Sequence, residues 1–362
     1  MIGYGGNALK FCIEIGHRPL KEGSPRALVE MVKLAAAAGV DSVWVSEEPF
    51  HWDAYAILGS LATQTSRIRL GPGVTSPYVR PPHLQAMSAA TLDRLSQGRA
   101  FLGLGRSLTQ WYQRLLGMEV GDPVAVMEET IGLLRQWWRE PYEAASRGHF
   151  NISGLKRGVG GVQSHLPIYV AAAGPRMVRL AARLADGVVF TWPSARFLES
   201  TVEAIKKETA AAGRDFKDFT VVVQTGLRVT SDPESALEEF KDQMATIHSI
   251  PGLDSALVSS DYNVSQIVAA LRDAMKTAEV LERGGSLHEF RQMGDFAAAR
   301  RAIPTGLVEQ VAIVGDATAV RRRLAQYQSL GVTHVFVPAP ADEGLGEYAE
   351  MVASIGPRPE DF

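Results

Sequence analysis

Three glutamates stand where they could do acid–base chemistry. Glu14 interrupts the apolar run KFCIEI, and the pair Glu47–Glu48 ends a second run, SVWVS. Carboxylates crowded at one place repel, so one of them keeps its proton to higher pH and can act as a proton donor. Glu14 and Glu48 are the candidates. A solvated loop glutamate is the plain alternative for Glu48, whereas a carboxylate inside an apolar strand is rarely idle.

Two further segments could hold a ligand. In LGPGVTSPYVRPP, the residues Gly71, Pro72, Gly73, Pro77, Pro81 and Pro82 crowd one strand exit. Such crowding suggests a bulge whose backbone approaches a ligand closely, with an ordinary Gly/Pro loop as the alternative. In AAAGPRMVRL, Gly174, Pro175 and Arg176 open a helix. Free N–H groups, the positive helix end and a guanidinium together suit a phosphate, although proline at a first helical position is also routine. The pair Gly103 and Gly105 in FLGLG lacks the third glycine and the later acidic residue of a dinucleotide fingerprint. Close packing at a strand end explains it better. No His, Cys, Asp or Glu spacing matches a zinc site.

The elements that must position these residues repeat in one order: a short apolar strand, a loop, then an amphipathic helix. Strands are expected at Lys10–Ile15, Ser42–Ser46, Ile68–Thr75, Ala100–Gly105, Pro167–Ala172, Gly187–Trp192, Thr220–Thr225 and His334–Pro338. Helices are expected from Pro25 to the stop at Gly39, then over Tyr55–Thr65, His83–Leu95, Pro123–Arg139, Pro175–Ala185, Ser194–Ala212 and Ala317–Leu330. Continuous apolar strands alternating with helices mean parallel β covered on its outer face, and eight repeats favour a closed (β/α)8 TIM barrel in the α/β class.

In a barrel the site gathers at the C-terminal strand ends. The residues to inspect are therefore Glu14, Gly16, His17, Glu47, Glu48, His51, Gly71–Arg80, Gly105–Ser107, Ala173–Arg176, Thr191 and Gln224. His51, Trp52, Tyr78, Trp111 and Trp192 would give a mixed polar and aromatic mouth, suited to an amphipathic or aromatic molecule. Two stretches break the repeat. About 140–165 reads as an irregular insertion or small hairpin. About 252–305 reads as a largely helical insertion (Val264–Arg283 and Leu287–Arg301) that either covers the mouth or makes a subunit interface.

Composition narrows the function. The 362 residues are 46% hydrophobic and 21% charged, which is ordinary for a folded globular chain. Lys+Arg 37 against Asp+Glu 40 leaves a net charge of -3, so nucleic acid and acidic membranes are not expected partners. One cysteine, Cys12, fits a reducing compartment, and neither a signal sequence nor a membrane-spanning run is evident. The expectation is a soluble cytoplasmic protein.

The segments KFCIEIG, GVDSVWVSEE, SRIRLGPGVTSPYVRPP, TLDRLSQGRAFLGLG, PIYVAAAGPRMVRLAARLADGVV and GVTHVFVPAP together resemble the luciferase-like monooxygenase superfamily. Within it the likeness is to the branch using the deazaflavin coenzyme F420, above all to methylenetetrahydromethanopterin reductase-like proteins. The motif LDRLSQGR with FLGLG marks the superfamily, and GPGVTSPYVRPP is closer to the reductases. The resemblance implies a single luciferase-like barrel domain over 1–362 and a non-prolyl cis peptide at Gly73–Val74, forming a bulge against the deazaflavin ring. It also implies that Ala173 and Gly174 line the cofactor's tail, with Pro175 beside them. Arg176 would neutralise its phosphate and Thr191 would offer a hydroxyl there. Glu47 completes the candidate cofactor set. A homodimer and a small-molecule substrate are implied as well.

One departure is clear. In the related sugar-phosphate dehydrogenases an Asp–His pair ends the second strand, with the histidine as base. Here that pair is Glu47–Glu48, so sugar-phosphate oxidation is disfavoured, while Glu14 matches a first-strand glutamate of the reductases. The expected function is F420-dependent hydride transfer between the deazaflavin C5 and an organic substrate. The alternatives are a reduced-flavin (FMN) monooxygenase and a barrel that binds F420 or flavin without turnover.

Overall fold

The structure is a computed structural model, and it describes residues 8–16, 24–48, 52–158, 160–285, 287–340, 345–358 and 361. His17 and His51 lie outside the described residues. Eight parallel strands form one sheet: β1 (Lys10–Ile15), β2 (Ser42–Val45), β3 (Arg69–Pro72), β4 (Leu102–Leu104), β7 (Ile168–Ala171), β8 (Gly187–Thr191), β9 (Thr220–Gln224) and β12 (His334–Phe336). Their order is β3-β2-β1-β12-β9-β8-β7-β4, and bridges Leu70↔Ala100 and Thr75↔Leu104 join its two edges. The sheet is a closed TIM barrel.

Its helices are α1 (Pro25–Ala37), α2 (Ala54–Gln64), α3 (Pro82–Leu95), α4 (Thr109–Leu115), α5 (Pro123–Trp137), α6 (Pro175–Leu184), α7 (Ala195–Ala211), α14 (Ala317–Leu330) and α15 (Leu345–Ile355). Their starts follow the local chemistry. Ser24, Asp53, Asp122, Ser194 and Asp316 each cap a helix by accepting a backbone N–H within its first turn. Val43, Leu70, Leu102, Ile168, Val188 and Val221 pack outward against the helix ring. The barrel interior is plugged by Cys12, Trp44, Phe101, Tyr169, Val189, Val222 and Phe336. It is a packed core, not a pore.

The motif LDRLSQGR acts as a staple. Buried Asp93 accepts from the N–H groups of Val162 (2.6 Å) and Gln163 (2.8 Å) and from the Gln163 side chain (2.7 Å). Arg99 donates to the carbonyls of Ile68 (2.7 Å), Ala62 (2.8 Å) and Thr65 (2.9 Å). These bonds tie the loops at the barrel's closed end.

The first insertion is an antiparallel hairpin, β5 (Glu143–Ser146) with β6 (Ile152–Lys156), pinned to α5 by the Trp137 indole donating to Leu155 O at 2.8 Å. The second insertion is longer than the sequence suggests. It leaves β9 through β10 (Leu227–Val229), which pairs in parallel with β11 (Ile313–Gly315). Between them run α8 (Pro233–Ser249), α9 (Val264–Ala274), α10 (Thr277–Glu282), α11 (Leu287–Met293), α12 (Phe296–Ala302) and α13 (Thr305–Glu309). Each of the two long helices expected here is broken. Lys276 takes a left-handed φ of 50° between α9 and α10, and Asp295 caps a fresh start at α12. The insertion has its own core, built around Met244, Leu271, Met275, Phe290 and Leu307, and Leu108, Trp111 and Trp192 from the barrel's loops enter it. An excursion that leaves the C-terminal end of a barrel strand lies on the mouth side, so the insertion sits over the rim.

Candidate active site

Five barrel strands bring one hydrogen-bonded chain to the mouth. The Thr191 hydroxyl, at the end of β8, lies 3.3 Å from Gln224 Oε1, at the end of β9. Gln224 Nε2 donates to Glu14 Oε2, from β1. The Ser46 hydroxyl, just past β2, lies 2.7 Å from Glu14 Oε1 and 3.4 Å from the Gly73 carbonyl past β3. Burial raises the Glu14 pKa, and the nearby charge of Glu48 adds to it; Ser46, Gln224 and Arg291 oppose the rise. The carboxyl is thus a group that can hold a proton where a surface glutamate would not.

The partners can follow that proton. A hydroxyl has one hydrogen, which Ser46 gives either to a Glu14 carboxylate or, once Glu14 is protonated, to the Gly73 carbonyl. The Gln224 amide can turn over, offering oxygen to Glu14–OH and N–H to Thr191. Ser46 and Gln224 acquire this role only through the folded chain of contacts; Gln224 was already marked by its place at a strand end.

The bulge past β3 is built as the resemblance implied: the Gly73–Val74 peptide is cis. Gly73 N–H donates to Val45 O (2.8 Å), Thr75 N–H to Gly103 O (2.9 Å) and Gly105 N–H to Thr75 O (2.8 Å). The bulge is therefore laced to both neighbouring strands. A Cβ on Gly73 would stand 2.6 Å from the Trp44 Cβ, one on Gly103 would strike Pro72 O, and one on Gly105 would strike a Val74 methyl. The FLGLG glycines make room for the bulge, which is the close-packing explanation and not a phosphate loop.

Glu47 is held differently. Arg80 donates to its Oε1 from Nε (3.0 Å) and Nη2 (2.7 Å), and Thr75 donates to Oε2. Arg80 also pairs with Asp53 at 2.5 Å and lies 4.7 Å from the Tyr55 ring centre. With its side chain 6% exposed and both oxygens bonded, Glu47 fastens the bulge loop to the second strand. Glu48 is half-buried beside them.

At the other rim, Gly174 caps α6 without a side-chain hydrogen bond, and a Cβ there would meet open space. Pro175 begins the helix, and Ala173 is half-buried next to it. Exposed Arg176 reaches Asp122, the cap of α5, at 2.6 Å. Of the aromatic residues expected at the mouth, Trp52 is exposed, whereas Tyr78, Trp111 and Trp192 are buried in neighbouring cores. These side chains serve packing, the Tyr78 bond to Val120 O at 2.6 Å and the bond of the Trp111 indole to Gly285 O. Among the described residues no cluster of His, Cys, Asp and Glu could hold a metal, and no helix is long and apolar enough to cross a membrane.

The family model for luciferase-like monooxygenases matches residues 9–334. A 5,10-methylenetetrahydromethanopterin reductase of Archaeoglobus fulgidus is 28% identical over 309 residues, covering 85% of this chain and 88% of that one. A putative coenzyme F420-dependent oxidoreductase of Mycobacterium tuberculosis is 30% identical over 345 residues, covering 91% and 95%. The solved tetrahydromethanopterin reductase of Methanopyrus kandleri, F420-dependent, superposes with a TM-score of 0.75 over 98% of this chain and 100% of that one, at 24% identity. With the family model spanning most of the chain and a relative 30% identical over 91% of it, the chain is an enzyme that belongs to the luciferase-like monooxygenase family.

Proposed function

We propose that this enzyme is an F420-dependent oxidoreductase whose barrel mouth holds the deazaflavin and whose Glu14 carries the proton of the reaction. The observation that supports it most is the chain Thr191–Gln224–Glu14–Ser46–Gly73 beside a glycine-made bulge. The residues fit the cofactor. The bulge offers a flat backbone wall, and the uncapped start of α6 with the open space at Gly174 offers N–H groups to a phosphate. Ala173, Pro175, Arg176 and Thr191 complete that side, and Glu47 acts indirectly by holding the bulge loop through Thr75 and Arg80. When bound, F420 supplies or accepts a hydride at C5.

The chain's own contribution is positioning and proton management. Glu14 keeps a proton that a solvated glutamate would lose, and Ser46 and Gln224 satisfy either state without leaving a buried polar atom unpaired. The insertion shields the mouth from water. The substrate is a small organic molecule, and F420 rather than FMN is the cofactor because the relative that is 30% identical over 91% of this chain is a putative F420-dependent oxidoreductase by name. The test is fluorescence titration with oxidised F420 and, separately, oxidised FMN. Micromolar or tighter F420 binding with weak FMN binding supports the reading; preference for FMN moves the chemistry to oxygen, and binding of neither defeats it.

A further inference from the structure

We propose that Arg106, which reaches from the end of β4 to the insertion, supplies the positive charge that holds the phosphate of the cofactor. The inference deepens the proposed function and rests on the mouth being the cofactor site.

The backbone places Arg106 beside the bulge. Gly105, the residue before it, donates to Thr75 O at 2.8 Å, and a Cβ there would strike a Val74 methyl and stand 3.6 Å from the Ala171 Cβ at the end of β7. The Arg106 side chain then crosses to the insertion. Its Nη2 lies 3.4 Å from Pro251 O, and a Cβ on Gly252 would stand 2.7 Å from the same nitrogen. Gly252, at a left-handed φ of 98°, leaves that space to the guanidinium. The segment that follows lies on the exit from β8, where Ser194 N–H donates to Ala256 O at 2.9 Å and Val258 N–H to the Ser194 hydroxyl at 3.0 Å. In the sheet β7 runs between β4 and β8, about 4.8 Å from each. The guanidinium therefore lies over the end of β7, where the chain turns through Gly174 into α6.

Two arginines flank that turn, and they differ in what answers their charge. Arg176 is exposed, screened by water and paired with Asp122, so its charge adds little. Arg106 is half-buried, and among the described residues it forms no ion pair. Its approach to Pro251 O is long for a hydrogen bond, and its remaining N–H groups meet no other acceptor among the described residues. Asp254, the acid of that segment, is taken by Arg272 at 3.0 Å and by the Gly252 N–H at 2.8 Å. A planar, forked donor that is partly withdrawn from water and has no anion of its own matches a phosphate in shape and charge.

The experiment titrates the protein with a matched probe pair, the ribityl deazaflavin of F420 with and without its terminal phosphate, followed by the probe's own fluorescence. The wild type should prefer the phosphorylated probe. Arg106→Gln should cut that preference about tenfold, the size expected of one charge-assisted contact, and leave the affinity for the unphosphorylated probe unchanged. Arg106→Lys should keep part of the preference, and Arg176→Gln should lose less of it than Arg106→Gln. A preference that survives in Arg106→Gln, an equal loss of affinity for both probes, or a larger loss in Arg176→Gln would overturn the proposal. FMN and riboflavin, titrated in parallel, separate the two readings. If neither deazaflavin binds but FMN is preferred over riboflavin through Arg106, the F420 assignment fails and the Arg106 assignment stands.

Discussion

The two ends of this barrel bury ionisable groups in opposite ways. At the closed end Asp41 sits 3.2 Å from Lys10 and 3.6 Å from His334, with Arg69 close by. Burial alone would raise its pKa, but neighbouring His334, Lys10 and Arg69 bring it down to about 2. Arg69 in turn donates to the Tyr169 hydroxyl at 3.0 Å and lies 5.7 Å from the Phe101 ring centre. At the mouth, Glu14 has burial and a neighbouring carboxylate pushing it up, answered mainly by neutral partners. One carboxylate faces the cations Lys10 and Arg69 and is committed to holding the strands; the other is left able to change state. The difference separates a structural ion cluster from a working acid.

The sharpest way to break that contrast is Glu14→Gln. It should lower turnover at least a hundredfold, the usual loss when a general acid is removed, while F420 affinity changes only a few-fold. Because an ionised, buried Glu14 disfavours the folded state, urea unfolding near neutral pH should show the variant as stable as the wild type or more so. A variant that keeps its turnover, or that loses F420 binding outright, would remove Glu14 from the chemistry.

Arg80→Met comes next, because it strands the nearly buried Glu47. We expect a loss of about 2–4 kcal/mol in urea unfolding together with weaker F420 binding, since the bulge loop loses its clasp. Gly105→Ala should be milder, about 1–3 kcal/mol, as the new methyl displaces Val74 from the bulge. Its F420 affinity should fall by more than its stability accounts for, which a cofactor titration at equal folded fraction would read.

Asp41→Asn is the smallest and runs opposite to Glu14→Gln. It should cost about 1–2 kcal/mol and leave turnover unchanged. A lowered carboxyl pKa stabilises above its unfolded value. The wild type should therefore lose this contribution as pH falls from about 4 toward about 2, and the variant should have less to lose across that window. Acid titrations of both proteins by circular dichroism check the sign.

Strand positions were readable because each barrel strand is a short apolar run buried on both faces. Lys10–Ile15 and the helix Ala317–Leu330 fall where the residues put them, and the remaining barrel strands differ at their ends. The helix Pro233–Ser249 has no counterpart among the expected elements, although Asp232 and Pro233 mark its start, because its surroundings follow no barrel repeat. The helices Thr109–Leu115 and Leu345–Ile355 were not anticipated either. The paired strands Leu227–Val229 and Ile313–Gly315 are three residues each and separated by the whole insertion, so no local pattern announces them.

At the site, the sequence by itself determined which residues stand at the strand ends: Glu14, Glu47, Glu48, Gly73, Thr191 and Gln224. Residue type and periodicity are local, and the mouth of a barrel follows from them. Only the tertiary structure decided what those residues do for each other. Glu47 is clasped by Arg80, 33 residues away, and Glu14 is bonded to Gln224, 210 residues away. A carboxylate's protonation depends on the charges and donors within a few ångströms, and in a closed barrel those neighbours come from strands that the chain reaches at opposite ends of its length.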